Sequence, residues 1–187
     1  MQNVRSVDAM LGHSQRDVQS QRPFAIVLGC SDSRAPAELV FDQGLGDLFV
    51  IRVAGNIVAP SQVGSVEFAA EHFRTRLVVV MGHTSCGAID AALEAVIRRE
   101  GPRSRNLMSI VDRVRPAIES RVATDLAQDP VRLRREAMRA NVRASVSQLR
   151  HSSEIVEGLV AREGLLVVGA ELDLTTGEVA FLDGVPA

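Results

Sequence analysis

FAIVLGCSDSR, the stretch from Phe24 to Arg34, decides the fold. It joins an uninterrupted apolar run to a segment crowded with reactive side chains. A short apolar run without polar alternation, bounded by Pro23 and Gly29, is typical of a strand that is buried on both faces. The first strand is therefore predicted over residues 24–28, inside a parallel sheet that helices cover.

Other segments repeat this strand character and alternate with helical patterns. Apolar runs predict strands over residues 48–51, 77–81 and 165–168, and residues 179–182 could pair back as an antiparallel edge strand. Apolar spacing predicts helices over residues 61–74 and 87–99, and Pro130 begins a third that runs to about residue 150. The Arg-rich residues 98–115 are interpreted as a solvated helix face, in preference to a binding site for a polyanion. The alternation predicts an α/β fold with a central, mainly parallel sheet, in which four parallel strands and an antiparallel edge strand are flanked by helices.

The composition indicates one domain and argues against several classes of protein. The chain has 187 residues, of which 46% are hydrophobic, enough for a single large core. Its formal charge of −2 argues against a general nucleic-acid binder, and no apolar run approaches the ~20 residues of a membrane span. The beginning of the sequence lacks the apolar stretch of a secretory signal, so a cytoplasmic location is expected. Two cysteines exclude a disulfide framework.

Two segments carry residues with metal-binding chemistry. Cys30, Asp32 and Arg34 follow the first strand, and their side chains would face one space if the chain stays extended. His83 and Cys86 follow the third strand at the equivalent end, which is where parallel sheets bind ligands. A helix that begins after Cys86 would favour its thiolate. Two thiolates and one imidazole suit one zinc ion per chain and leave a fourth position for water.

Three roles are considered for this pair of segments. Arg34 beside Asp32 favours a catalytic zinc site, because a cation that competes for the carboxylate gains little in a purely structural site. The first alternative is a closed site in which Asp32 is the fourth ligand and zinc only stabilises the fold. The second is a redox pair, which is disfavoured because the cysteines are distant in sequence and form no C-x-x-C motif.

These segments resemble the signature of the β-class carbonic anhydrases. The resemblance rests on Cys-Ser-Asp-Ser-Arg at residues 30–34 and His-Thr-Ser-Cys-Gly at residues 83–87, with Arg-Val-Ala-Gly-Asn at residues 52–56 between them. It implies a single domain over residues 1–187, with a short N-terminal helical arm over residues 1–20 and a zinc-binding core over residues 21–187. It also implies that Cys30, His83 and Cys86 hold zinc while Asp32 and Arg34 form a catalytic dyad beside it.

The resemblance further implies a substrate pocket that two subunits share. Gln21 matches the family position whose amide hydrogen-bonds substrate, and Phe49 and Phe68 match aromatic positions that a neighbouring subunit contributes. Core packing is the alternative interpretation of each Phe. Gly87, which completes the second motif, is assigned to the same pocket. A homodimer or a dimer of dimers, with active sites at the subunit interface, is therefore implied.

Three features depart from the family pattern. Position 68 holds Phe where plant-like members have Tyr, so a hydroxyl is absent. Position 27 holds Val where bicarbonate-regulated members have Trp, so their noncatalytic bicarbonate pocket cannot form in its usual way, although Arg52 matches one of its residues. The segment before Gln21 is short, which implies a reduced arm on the partner subunit.

The expected reaction is the reversible hydration of carbon dioxide to bicarbonate and a proton by zinc-bound hydroxide. In this hypothesis Asp32 accepts the hydroxide's hydrogen bond and Arg34 holds Asp32 ionised. If Asp32 could move from Arg34 to zinc, the enzyme would be switched off at lower pH. The alternatives are a related zinc hydrolase acting on carbonyl sulfide or carbon disulfide, and a noncatalytic zinc-binding module. Neither a nucleic acid nor a membrane is an expected partner.

Overall fold

The structure, a computed structural model, describes residues 21–124, 128–151 and 153–185. The predicted N-terminal arm over residues 1–20 lies outside the described residues, so the division into arm and core stays a prediction. Within the described ranges, no helix combines the length and the apolar character needed to cross a bilayer. The cytoplasmic location also stays a prediction.

Five strands form the sheet that positions the site. They are β1 (Ala25–Gly29), β2 (Leu48–Arg52), β3 (Leu77–His83), β4 (Leu166–Leu172) and β5 (Val179–Asp183). Their order in the sheet is β2-β1-β3-β4-β5. The first four run parallel to one another, and β5 pairs antiparallel with β4 at the edge. The predicted α/β class and strand directions are confirmed.

Two strands extend further than their apolar runs predict. The run at residues 77–81 predicts an end at Met81, but β3 continues because Gly82 pairs with Glu171 and His83 with Leu172. The partner strand β4 lengthens through the same backbone pairing, which does not depend on hydrophobicity. His83 therefore occupies the last position of a paired strand, and this anchors its backbone at the carboxyl edge of the sheet.

Helices connect the strands in the part of the chain that the structure describes. They are α1 (Ala37–Val40), α2 (Pro60–His72), α3 (Gly87–Arg98), α4 (Arg105–Val122), α5 (Pro130–Arg150) and α6 (Glu154–Arg162). The patterns at residues 61–74, 87–99 and 130–150 correctly predict α2, α3 and α5. The sequence patterns considered above do not predict α1 or α6. Ser153 caps α6 by accepting the Val156 N–H at 3.2 Å.

The Arg-rich residues 98–115 are not one helix face, contrary to the interpretation from the sequence. α3 ends at Arg98, and Arg99 adopts a left-handed φ of 55°. A loop with Pro102 follows, and Ser104 caps the start of α4 by accepting the Leu107 N–H at 3.3 Å. The left-handed residue and the new N-cap break the helical register, so these arginines belong to two helices and a loop.

Both faces of the sheet are buried, but within the described residues more helices cover one face than the other. Helices α2 to α6 all pack into one core cluster with alternate strand residues such as Ile26 and Val80. The opposite residues, such as Val27 and Met81, pack within the described chain mainly against α1 and the segment around it. Right-handed crossovers explain this difference. The β1 to β2 connection crosses the sheet in one direction and the later parallel connections cross it in the other, so α1 lies on one face and helices α2 to α6 lie on the opposite face.

Helix α5 is fixed closely over β3 and β4. A Cβ at Gly82 would lie 2.6 Å from Val142 Cγ2 and 2.7 Å from Met138 Sδ, so glycine is needed for this close approach. On β4, Glu171 is 1% exposed and accepts one hydrogen bond at 2.6 Å from each of Arg135 and Arg139 on α5. The helix is therefore anchored beside the strand that ends in His83.

Candidate metal centre

The carboxyl ends of β1 and β3 bring the two reactive segments together. The strands are neighbours, with Gly29 opposite Met81. Cys30 follows β1 directly, and His83 ends β3. Ser85 then takes a left-handed φ of 54°, and Cys86 becomes the N-cap residue of α3. The sharp turn returns the chain so that Cys86 faces Cys30.

Cys30, His83 and Cys86 form a buried cluster that fits zinc. Their ligand atoms all lie within 4.8 Å of one another. The two sulfurs are 3.9 Å apart, close to the roughly 3.8 Å that separates two thiolates at 2.3 Å from a tetrahedral zinc. His83 Nδ1 contacts the Thr84 carbonyl at 2.9 Å, while its Nε2 is buried without a hydrogen-bond partner. An orphaned ring nitrogen beside two sulfurs is the arrangement that a metal ion satisfies.

Without metal, the two cysteines share their protonation. The hydrogen bond from Cys86 lowers the pKa of Cys30 to about 4, against the opposing effect of burial, and the Gly55 N–H adds to the lowering. The same hydrogen bond to Cys30, together with burial, raises the pKa of Cys86. The backbone N–H groups of Ala88 and Ile89 in α3 act to lower the pKa of Cys86, as the sequence predicts, while the hydrogen bond to Cys30 and burial act more strongly in the opposite direction. The thiolate expected at Cys86 in the zinc site stays a prediction.

Asp32 and Arg34 form an ion pair at the edge of this cluster. Arg34 donates from Nε to Asp32 Oδ1 at 2.9 Å and from a terminal nitrogen to Oδ2 at 2.7 Å. These hydrogen bonds hold the pKa of the Asp32 carboxyl well below its usual range. Arg34 also donates to the Ser85 carbonyl at 3.1 Å. Asp32 Oδ2 lies 3.9 Å from His83 Nε2, so the carboxylate borders the cluster without joining it.

The sequence argument relied on an extended chain after Cys30, but the structure shows that the segment is extended only in part. A turn begins at Asp32, whose carbonyl accepts the Ala35 N–H at 3.0 Å. Arg34 reaches Asp32 because the turn folds the chain back, and its own N–H also donates to Asp32 Oδ1 at 2.9 Å. The short polar side chain of Asp favours this local bonding over continued strand geometry.

Arg52 and Gly55 contact the site in ways that the sequence reasoning missed. Arg52, at the end of β2, donates to the Cys30 carbonyl at 2.9 Å and to the Asp32 carbonyl at 2.5 Å. It thus holds the backbone of the first segment. The Gly55 N–H lies 3.4 Å from Cys30 Sγ. The sequence offered one indication of these contacts, the Arg-Val-Ala-Gly-Asn motif at residues 52–56. The motif marks the turn but does not show which atoms the turn contacts.

The four predicted pocket residues divide into two groups. Gly87 opens α3 beside the cluster, and a Cβ there would meet no atom within 4 Å. Phe49 pairs with Ile26, four strand residues or about 13 Å before Cys30. Phe68 is 51% exposed and packs on Phe49 with ring centroids 6.1 Å apart. Gln21 lies against Gly46, before the amino end of β1. The structure does not bring these last three residues to the metal cluster of their own chain.

Comparisons with known proteins agree with this site. The family model described as carbonic anhydrase matches residues 25–179. A carbonic anhydrase of Mycolicibacterium smegmatis is 41% identical over 162 residues, which cover 86% of this chain and 75% of the relative. Carbonic anhydrase 2 of Mycobacterium tuberculosis H37Rv is 35% identical over 163 residues, which cover 87% of this chain and 76% of the relative.

Solved structures share the fold. A tetrameric β-carbonic anhydrase from Sordaria macrospora superposes with a TM-score of 0.79 at 26% identity, over 90% of this chain and 85% of that one. The Coccomyxa β-carbonic anhydrase in complex with acetazolamide superposes with a TM-score of 0.75 at 28% identity, over 87% and 73% of the two chains. From its metal-binding cluster, its sheet topology and these similarities, the chain belongs to the β-class carbonic anhydrases.

Proposed function

We propose that the chain catalyses the reversible hydration of carbon dioxide to bicarbonate and a proton at one zinc ion held by Cys30, His83 and Cys86. The observation that carries the proposal is the buried Cys2His cluster with an ionised Asp32 at its edge. The curated relatives named carbonic anhydrase support it. Zinc, when bound, lowers the pKa of a coordinated water toward ~7 and so supplies hydroxide near neutral pH.

Asp32 orients the nucleophile in this proposal. Arg34 occupies both carboxylate oxygens, so Asp32 stays ionised and can only accept further hydrogen bonds. An acceptor at the edge of the cluster takes the hydrogen bond of the attacking O–H group and directs a lone pair toward the carbon of the substrate. Because the pKa of Asp32 is lowered, its carboxylate is already charged at neutral pH. Any rise in activity above pH 6.5 therefore reports a different group.

The described arrangement favours a catalytic site over a closed structural one. In a closed site Asp32 would be the fourth ligand, but here its carboxylate is paired with Arg34. Arg34 is in turn held by the Ser85 carbonyl, which lies next to the ligand Cys86. The dyad thus leaves the fourth metal position to water or substrate.

The test is stopped-flow hydration of carbon dioxide by the zinc-loaded chain between pH 6.5 and pH 9. We expect one zinc per chain and activity that increases with pH. Full zinc loading without hydration at any pH would overturn the proposal. Assays with carbonyl sulfide and carbon disulfide would then separate a sulfur-substrate hydrolase, which cleaves them, from a noncatalytic zinc module, which does not.

We also propose that Gln21, Phe49 and Phe68 complete the pocket of a second copy of the chain. All three lie away from the metal cluster of their own chain, and Phe68 exposes half of an apolar ring. The tetrameric state of the Sordaria macrospora enzyme supports assembly of copies. Apolar walls from these rings would suit a nonpolar substrate.

Mixing two defective variants tests this shared pocket. One variant carries Cys86→Ser, which removes a metal ligand, and the other carries Gln21→Ala with Phe68→Ala. Equal random mixing gives hybrids in half of the dimers, each with one intact site, so about a quarter of the wild-type activity should return. If the mixture is no more active than the average of the two variants, Gln21 and Phe68 do not act across the interface.

A further inference from the structure

Two polar side chains interrupt the buried face of α5. Asn141 is 2% exposed and Ser145 is 4% exposed, although they are four residues apart in a stripe that is otherwise apolar. A buried amide or hydroxyl destabilises a core unless it is hydrogen-bonded. Neither residue belongs to the motifs that mark the metal site, so their presence in the core requires a separate reason.

Both side chains bind the turn that follows β2. Asn141 Nδ2 donates to the Gly55 carbonyl at 2.8 Å, and Ser145 Oγ donates to the Asn56 carbonyl at 3.1 Å. We call these two residues the turn clamp. The carbonyls they bind are consecutive, so the clamp sets the orientation of the turn as well as its position.

The clamped turn has a demanding conformation. Gly55 and Asn56 both have positive φ, at 72° and 43°. A left-handed non-glycine residue persists where its surroundings hold it in place. α3 closes the turn from another side, because a Cβ at Gly55 would lie 3.0 Å from the Ala88 Cβ. The turn is thus enclosed by buried elements.

This conformation directs a backbone donor at a metal ligand. The Gly55 N–H lies 3.4 Å from Cys30 Sγ. Groups that hydrogen-bond to a metal ligand fix its orientation and tune how strongly it donates charge to the metal. The contact therefore joins α5 to the metal site through one turn.

We propose that Asn141 and Ser145 are positioning residues of the zinc site, which hold the Gly55–Asn56 turn so that its N–H group bonds to the Cys30 sulfur. The inference rests on the proposed function, since it takes Cys30 as a zinc ligand. Loss of the clamp leaves a buried carbonyl without its donor, so the turn relaxes and the Cys30 sulfur loses its hydrogen bond.

The experiment replaces zinc with cobalt(II), whose thiolate charge-transfer absorption reports the sulfurs directly. The chain has no Trp or Tyr, so the protein contributes little near-ultraviolet absorption. In Asn141→Leu the charge-transfer band should move to longer wavelength, because an unbonded thiolate donates charge more readily. Zinc affinity, measured by competition with a chelator, should fall about 10-fold or more. Ser145→Ala should shift the band in the same direction by less.

Val146→Ala is the matched control on the same helix. Val146 is fully buried but apolar, so its truncation should lower the unfolding temperature and leave the band unchanged. A folded Asn141→Leu chain with the wild-type band and zinc affinity would overturn the proposal. If Asn141→Leu does not fold, an unshifted charge-transfer band in Ser145→Ala would overturn the proposal. A wild-type chain without thiolate-to-cobalt absorption would instead refute the metal site, and with it the proposed function.

Discussion

Replacing Cys86 with serine should remove zinc and lower carbon dioxide hydration by about 10³-fold or more, because no hydroxide then forms near neutral pH. Cys86 supplies one of the two sulfurs in a cluster to which three of the described residues contribute. A serine hydroxyl stays protonated and is a poor substitute for a thiolate. Metal content after dialysis and the stopped-flow assay measure the two losses.

Thermal unfolding with and without zinc provides an independent measurement. A ligand that binds only the folded state raises the unfolding temperature, so zinc should stabilise the wild-type chain and have little effect on Cys86→Ser. Met81→Leu is the control, since it removes a buried sulfur from β3 at nearly constant volume and should leave zinc binding intact. A Cys86→Ser chain that keeps one tightly bound zinc and full activity would show that Cys86 is not a ligand.

Asp32→Asn should keep zinc but lower turnover by about 10²-fold, the lower end of what a positioned proton acceptor contributes. The substitution preserves shape while removing the charge that Arg34 binds through two oxygens. We expect the loss in kcat, with bound zinc still at one per chain. Unchanged turnover would reject the role of Asp32 in orienting the nucleophile.

Two further variants separate this role from general surface charge. Asp112→Asn removes an exposed carboxylate on α4 and should leave turnover unchanged. Arg34→Gln should also lower turnover, because Asp32 then loses the partner that positions it. Since the two residues act as a unit, the double variant should lose little more turnover than Asp32→Asn alone. If their roles were independent, the fold losses of the two single variants would multiply.

The metal cluster was predictable because its residues follow buried strands directly. Cys30 comes one residue after β1, and His83 ends β3. Parallel strands place their carboxyl ends at one edge, so two segments distant in sequence meet there without further information. The apolar runs locate the strands for the same reason, since burial on both faces leaves few polar positions.

Contacts between helices and turns were not predictable from spacing. Asn141 and Gly55 are 86 positions apart, and no periodicity links them. Glu171 is a charged residue within an otherwise apolar strand, yet only the packing of α5 shows that Arg135 and Arg139 reach it. In each case the sequence shows a polar residue within an apolar pattern, but it does not identify the hydrogen-bond partner of that residue.

The sequence by itself predicted the class of fold, the meeting of Cys30, His83 and Cys86, and the Asp-Arg pair beside them, because these depend on local patterns and on the direction of parallel strands. Only the tertiary structure decided that the paired Asp32 carboxylate lies at the edge of the cluster, 3.9 Å from His83 Nε2, and that the Gly55 N–H reaches the Cys30 sulfur. It also placed Gln21, Phe49 and Phe68 away from the metal cluster of their own chain. These contacts depend on the distance between helices, strands and turns that pack together, and that distance is set by side chains far apart in the sequence.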